Sequence, residues 1–340
     1  MINKKLIKIG LILGMAGLVL AGCNDDKNNQ NENQLVVENN NSEEKPGDTS
    51  GNEGQTGNEE ATTNGEDDQN NTEDSNSNEF VKLDFEYSNL VDKESQELVK
   101  STLVKSGISE ETVNTFLSDV DAFNGVIKNV SLVEGGFKET TEIPVYKSDK
   151  IFEYLDENNP LFPGYNCRIT SFDLMKDTIV ATNTEISNPK DLFMDNDVLN
   201  NAPRQVFSEE QKGVFDCLFS TVYTEFTSDK NVHLEKWLNN WKEEGVEFKE
   251  CQASMVSVVL HSSFSESENE LFVGHVGVLA PMEDGRWLFV EKLAFQAPYQ
   301  ANIFKSKEDL NNYLMAMYDN SWDEQAASPL ILENDKLLIE

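Results

Sequence analysis

The hydrophobic pattern divides the chain into a long patternless stretch and a segment that carries clear periods. From Val81, apolar residues fall on every second position (Val81, Leu83, Phe85 and Tyr87), the spacing of a strand or extended entry. Two helices are expected next. The second begins at Ser109, with Glu110 and Glu111 in its first turn, where carboxylates meet the positive end of the helix dipole. Val113, Phe116, Leu117, Val120 and Phe123 then share one face. Ser208 and Gln211 form a capping-box pair ahead of the stripe Val214, Phe215, Leu218, Phe219 and Val222. A short helix is expected around Leu234, Trp237, Leu238 and Trp241.

The second half changes period. Val246, Phe248 and the β-branched run from Met255 to Leu260 predict sheet, and Leu271 to Leu279 predicts a further strand. The polar segment Ser262 to Glu270 between them reads as a loop. Asp284-Gly285 centres a turn spanning Pro281 to Gly285, and Trp287 to Leu293 returns as a strand. Ser306 and Asp309 start a terminal helix over about Lys307 to Tyr318. Helices first and a sheet afterwards predict an α+β fold with helices packed on an antiparallel sheet, in a single domain over residues 80–340.

Asn24 to Glu79 shows no period. It holds 16 acidic and 2 basic residues, and Leu35, Val36 and Val37 are almost its only large apolar side chains. Such a segment buries too little to offset the entropy of ordering it, so residues 23–79 are expected to form a disordered acidic linker. Ahead of it, residues 1–8 carry Lys4, Lys5 and Lys8, and an apolar run extends from Leu6 to Leu20, followed by Ala21-Gly22-Cys23. The run is shorter than a membrane span requires. The arrangement resembles the lipobox signal of bacterial lipoproteins. That resemblance implies a signal peptide over residues 1–22, lipid on Cys23, and a protein anchored through that lipid on the extracellular face of the cell membrane.

Charge narrows the partners. The chain has 62 Asp plus Glu against 27 Lys plus Arg, a formal charge of -35, which opposes a nucleic-acid partner. Beyond Cys23 stand Cys167, Cys217 and Cys251, an odd number, so at least one is a free thiol or bridges to another chain. No pair has the spacing of a zinc knuckle or a Cys-x-x-Cys redox motif, and no cofactor motif is present. A site of His233, His261 and Cys251 for zinc lacks motif spacing.

Cys167 follows Pro163-Gly164-Tyr165-Asn166 and precedes Ile169, Phe172 and Met175, which places its thiol at the first turn of a helix. Unpaired amides and Arg168 favour thiolate there. A buried structural cysteine is the alternative. His275 lies between Gly274 and Gly277 in an apolar strand, where glycines make sense if something approaches the backbone closely. Counting back from the turn sets Val276 opposite Glu291 and His275 opposite Lys292, so that Glu291 stands beside the imidazole. These three form a candidate nucleophile, base and orienting carboxylate.

The order Cys167, His275, Glu291 resembles the papain-like superfamily, with its cell-wall branch of NlpC/P60 and CHAP peptidases nearest. The resemblance implies a cysteine hydrolase (amidase, peptidase or acyl transferase) acting on peptidoglycan peptides, with a helical insertion over Phe207 to Trp241. Asn166 or Tyr165 would then supply an oxyanion donor, and Gln296 and Tyr299 would line a substrate groove. Across nearly all of Phe80 to Ala326, on Gly164-Tyr165-Asn166-Cys167-Arg168 and Phe272 to Gln300, the chain also resembles a family of secreted Gram-positive lipoproteins of unknown function (DUF4300-like), which implies no activity. The competing reading is a non-catalytic surface lipoprotein that binds a peptide, a wall component or a surface protein. Under it Cys167 is disulfide-bonded or buried and inert.

Overall fold

The computed structural model describes residues 82–319 and 326–339. The expected signal segment, the lipid-bearing Cys23 and the acidic linker lie outside the described residues. No helix among the described residues is long and apolar enough to cross a membrane.

The chain opens with β1 (Phe85–Ser88), α1 (Lys93–Lys105), α2 (Glu110–Val126), β2 (Lys138–Thr140), α3 (Ser148–Asn158), α4 (Cys167–Met175) and β3 (Ile179–Val180). Two 3-10 turns lead to α5 (Phe193–Asn201) and α6 (Glu209–Phe219), then β4 (Val222–Tyr223), α7 (Lys230–Glu244) and β5 (Glu247–Phe248). The long strands follow: β6 (Ser254–Ser265), β7 (Glu268–Pro281), β8 (Trp287–Lys292) and β9 (Tyr299–Phe304). Next come α8 (Lys307–Tyr318), β10 (Leu330–Glu333) and β11 (Lys336–Leu337).

The caps explain several helix starts. Ser109 accepts from the Thr112 amide at the start of α2. Ser208 and Gln211 make the full capping box of α6. Ser306 accepts from the Asp309 amide at the start of α8. Each of these bonds satisfies an amide that the helix itself leaves unpaired.

The main sheet runs β11-β10-β6-β7-β8-β9-β1-β2, with β4 added to β7, and its pairings are antiparallel. Its two faces are dry, so the strands read as near-continuous apolar runs. One face, with Met255, Val259, Val276, Val278, Leu288 and Val290, packs on the helices that precede the sheet in sequence. The other, with Phe85, Val256, Val258, Leu279, Phe289 and Phe304, packs on Leu310, Tyr313, Leu314 and Tyr318 of α8. The fold is thus α+β, with helices against an antiparallel sheet.

Three sequence expectations need correction. Ser262 to Glu270 is not a loop: β6 and β7 continue through it to a tight turn after Ser265, with polar residues on the protruding arms. The helix around Trp237 is longer than expected, 15 residues from Lys230 to Glu244. Glu291 pairs with Gly277, not Val276, and Lys292 pairs with Tyr299 on β9. That one-residue difference sends every side chain to the other face.

Candidate active site

Cys167 is the first residue of α4. Asn166 caps this helix: its side-chain oxygen accepts from the Ile169 amide at 2.9 Å. Its amide nitrogen donates to Asp195 Oδ1 at 2.8 Å. Arg168 reaches the same carboxylate through Nε at 3.0 Å and Nη2 at 2.5 Å. Asp195, fully buried on α5, therefore grips both neighbours of the cysteine. Sequence reasoning missed Asp195, because nothing in its local pattern separates it from the many acidic residues around it.

α4 then runs along β7. Pairing of β8 with β7 ends at Gly277–Glu291, which leaves the neighbouring edge of β7 open. α4 takes that edge. Arg168 Nη1 donates to the Val273 carbonyl at 3.2 Å, and the Ser171 hydroxyl to the Val276 carbonyl at 3.1 Å. Cys167 is thereby set against the segment of β7 that holds His275.

The orientation of His275 depends on a β-bulge. Val258 pairs with His275, whereas Val259 pairs with Val273, so Gly274 is an extra residue on β7. The bulge shifts the alternation by one. Leu271 and Val273 face the helical core, as do Val276 and Val278 beyond the bulge. His275 instead projects with Gly277 and Leu279 toward α8. A Cβ on Gly274 would lie 2.3 Å from Leu260 Cδ1, and one on Gly277 2.3 Å from the Phe289 ring. At Gly277 the backbone carbonyl of Val290 is also within 2.8 Å of that Cβ, so close packing requires the glycine there, whereas at Gly274 the side chain of Leu260 would have to move.

Glu291 is opposite Gly277, two residues along from His275 and on the same face, a diagonal pair within side-chain reach. His275 Nε2 lies 2.6 Å from Glu291 Oε2, and both side chains are fully buried. The Tyr318 ring stacks on the imidazole, with centroids 4.6 Å apart and planes 14° apart. The second ring nitrogen, Nδ1, is buried and makes no hydrogen bond of good geometry. The Cys167 thiol is near enough to the imidazole to influence its protonation.

Electrostatics follow from that packing. For His275, burial works against the charged form, but the Cys167 thiol and the Glu291 carboxylate outweigh it and raise the pKa to about 9. For Cys167, burial pushes the thiol up. His275, and then Arg168, more than reverse this and hold it below its ordinary value. Both shifts favour a thiolate–imidazolium pair. Cys167, Cys217 and Cys251 are all free thiols, so Cys167 is not disulfide-bonded. Burial raises the Cys217 thiol to about 12, which makes it unreactive by contrast.

The remaining predicted residues are placed differently. Asn166 is buried beside Cys167, where it donates one amide hydrogen to Asp195 and caps α4 through its oxygen. Tyr165 and Tyr299 are buried and line a cavity of about 10 Å³ with Phe116, Asp119, Thr170 and Arg204. This cavity flanks the Ile169–Thr170 side of α4, whereas Ser171 faces β7. Tyr299 is also wedged edge-on between Phe116 and Phe123, 5.7 and 5.8 Å from their centroids, which is a core position. Gln296 is exposed at the turn between β8 and β9. Lys292, fully buried, holds that turn by donating to the carbonyls of Ala294, Phe295 and Ala297. His233 and His261 lie against one another at a tilt of 42°, 4.2 Å between centroids, and are bonded to Thr224, Thr227, Asn269 and the Ala327 amide. Among the described residues no group of three or more His, Cys, Asp and Glu side chains is arranged to hold a metal ion.

These features define an α+β domain with a buried thiol, imidazole and carboxylate gathered where a helix N-terminus crosses the edge of an antiparallel sheet. The chain belongs to the family described as domain of unknown function (DUF4300), whose sequence model matches residues 86–338. No curated protein and no solved structure matches it.

Proposed function

We propose that this protein is a thiol-dependent hydrolase or acyl transferase held at the outer face of the bacterial membrane by lipid on Cys23, with cell-wall peptides as its substrate class. One observation carries the reading: the buried imidazole of His275 is held by Glu291 at 2.6 Å and has the Cys167 thiol as a neighbour close enough for each to shift the other's pKa. A buried structural cysteine has no need of an imidazole oriented by a carboxylate. The cysteine at a helix start, packed on the strand that bears the histidine, also supports relating the fold to the papain-like and NlpC/P60 plan.

In the proposed reaction the Cys167 thiolate attacks an amide carbonyl and forms a C–S bond. The carbonyl electron pair moves to oxygen, which backbone amides at the start of α4 are placed to stabilise. As the tetrahedral centre collapses, His275 gives its proton to the leaving nitrogen and the C–N bond breaks. Water, or an acceptor amine, then attacks the thioester, and His275 takes the proton from the attacking group. The C–S bond breaks and the thiolate–imidazolium pair returns. Glu291 keeps the imidazole oriented throughout.

A second reading has its own support. Cys167 is only 6% exposed, and His275 and Glu291 are fully buried. That burial suits a non-catalytic surface lipoprotein that binds a peptide or wall component. Alkylation separates the two. Iodoacetamide at neutral pH should label Cys167 in the folded chain well ahead of Cys217, and His275→Ala should slow that labelling. The same chain should cleave or transfer within a panel of peptidoglycan peptides, with Cys167→Ala inactive. A folded chain whose Cys167 resists alkylation as Cys217 does, and which leaves every peptide intact, would establish the binding reading instead.

A further inference from the structure

Glu291 is the terminus of a buried chain of donors. Its Oε1 accepts from Asn302 Nδ2 at 2.6 Å, from the Tyr313 hydroxyl at 2.8 Å and from Gln300 Nε2 at 3.3 Å. Upstream the polarity is uniform. Asn89 donates to the Tyr146 hydroxyl at 2.9 Å, and Tyr146 donates to Gln300 Oε1 at 2.6 Å. Gln300 Nε2 is in turn within reach of the Tyr313 hydroxyl at 3.1 Å and of Asn302 Oδ1 at 2.8 Å. Every link therefore points its hydrogen at Glu291.

We propose that Asn302 on β9 and Tyr313 on α8 are positioning residues: they hold Glu291 through Oε1, so that Oε2 orients His275 toward Cys167. This rests on the reading of Cys167, His275 and Glu291 given above and adds the groups that make it work. The titratable groups facing the carboxylate are His275 from β7, Tyr313 and Tyr318 from α8, and Tyr146 from the segment before α3. Cys167 faces the imidazole from α4. The groups hydrogen-bonded to Glu291 are the imidazole of His275, the Tyr313 hydroxyl and the side-chain amides of Asn302 and Gln300, so the carboxylate is met by hydrogen-bond donors. α8 has a double role, because Tyr318 also stacks on the imidazole.

The arrangement is tested by the pH dependence of Cys167 alkylation in the full chain, with iodoacetamide as the probe. Wild-type protein should show a thiolate limb at lower pH than the same chain unfolded in urea, and His275→Ala should remove that difference. Tyr313→Phe deletes one hydroxyl and leaves the ring in place. Asn302→Leu deletes one amide at similar volume. Each should move the limb to higher pH and slow alkylation at pH 7 severalfold, and the two together about tenfold. A ring or side chain that merely packs would alter the denaturation midpoint and leave the limb unmoved. Should Asn302→Leu fail to fold, Tyr313→Phe decides the matter alone. If the wild-type limb is already that of the unfolded chain, the thiol reading itself fails. If the wild-type limb is low and depends on His275, but both variants match wild type, only the positioning roles are overturned.

Discussion

Replacing Asp195 with alanine tests how the cysteine is held. The carboxylate is fully buried and receives two bonds from Arg168 and one from Asn166. Its removal strands a guanidinium that is itself mostly buried, and an amide that caps α4. Breaking a buried ion pair costs about 3–5 kcal/mol when one partner remains. Arg168 keeps 19% of its side chain exposed, so water relieves part of that charge and the lower end applies. The lost Asn166 bond adds about 1 kcal/mol. The expected destabilisation is therefore about 3–4 kcal/mol. With a urea slope of about 3 kcal/mol/M, the denaturation midpoint should fall by about 1 M. The pair Arg168→Met with Asp195→Leu removes the stranded charge and should recover most of the loss, which makes the two substitutions strongly non-additive. An Asp195→Ala chain within about 1 kcal/mol of wild type, or a double variant as unstable as the sum of the singles, would refute the argument.

Gly274→Ala should cost about 1–3 kcal/mol, because its Cβ would meet Leu260 at 2.3 Å. It should also slow Cys167 alkylation by displacing His275; unchanged melting and labelling would show that the bulge is not needed to aim the ring. His261 behaves differently with pH. Burial, and then the adjoining His233, lower its pKa from 6.5. The unfolded chain then takes the proton first, so this group's stabilisation is complete above about pH 6.5 and is lost as the pH falls. His261→Asn should flatten the decline in melting temperature between about pH 7 and pH 5.5, and an identical slope in both proteins would exclude His261 as its source.

Much of the scaffold could be read from local chemistry. Ser109, Ser208 and Ser306 each mark a helix start because the capping bond is a short-range matter of a hydroxyl and an amide a few residues away. Cys167 is legible at a helix start on other local grounds, the turn residues Pro163-Gly164 before it and the apolar spacing of Ile169, Phe172 and Met175 after it. What escaped was long-range. The pairing of Glu291 depends on where the turn hydrogen bonds begin, and a one-residue slip there reverses the faces. The Gly274 bulge has no signature beyond a glycine. β9 was missed because Gln300 and Asn302 alternate with Tyr299, Ala301 and Ile303, a pattern that normally means one wet face. Here the polar face is dry, and its amides are spent on Glu291. Asp195 and Tyr313 meet the site only after distant segments fold together, so no window of sequence contains the contact.

The roof of the site has a consequence for timing. Cys167 leaves the ribosome long before His275, Glu291 or α8, and the helix that stacks on the imidazole is among the last parts to be made. Until β8 and that helix dock, the imidazole has neither its carboxylate nor its stacked ring. The proposed function would therefore wait on the carboxy-terminal quarter of the chain, and a chain truncated before Tyr313 would leave Glu291 without that hydroxyl.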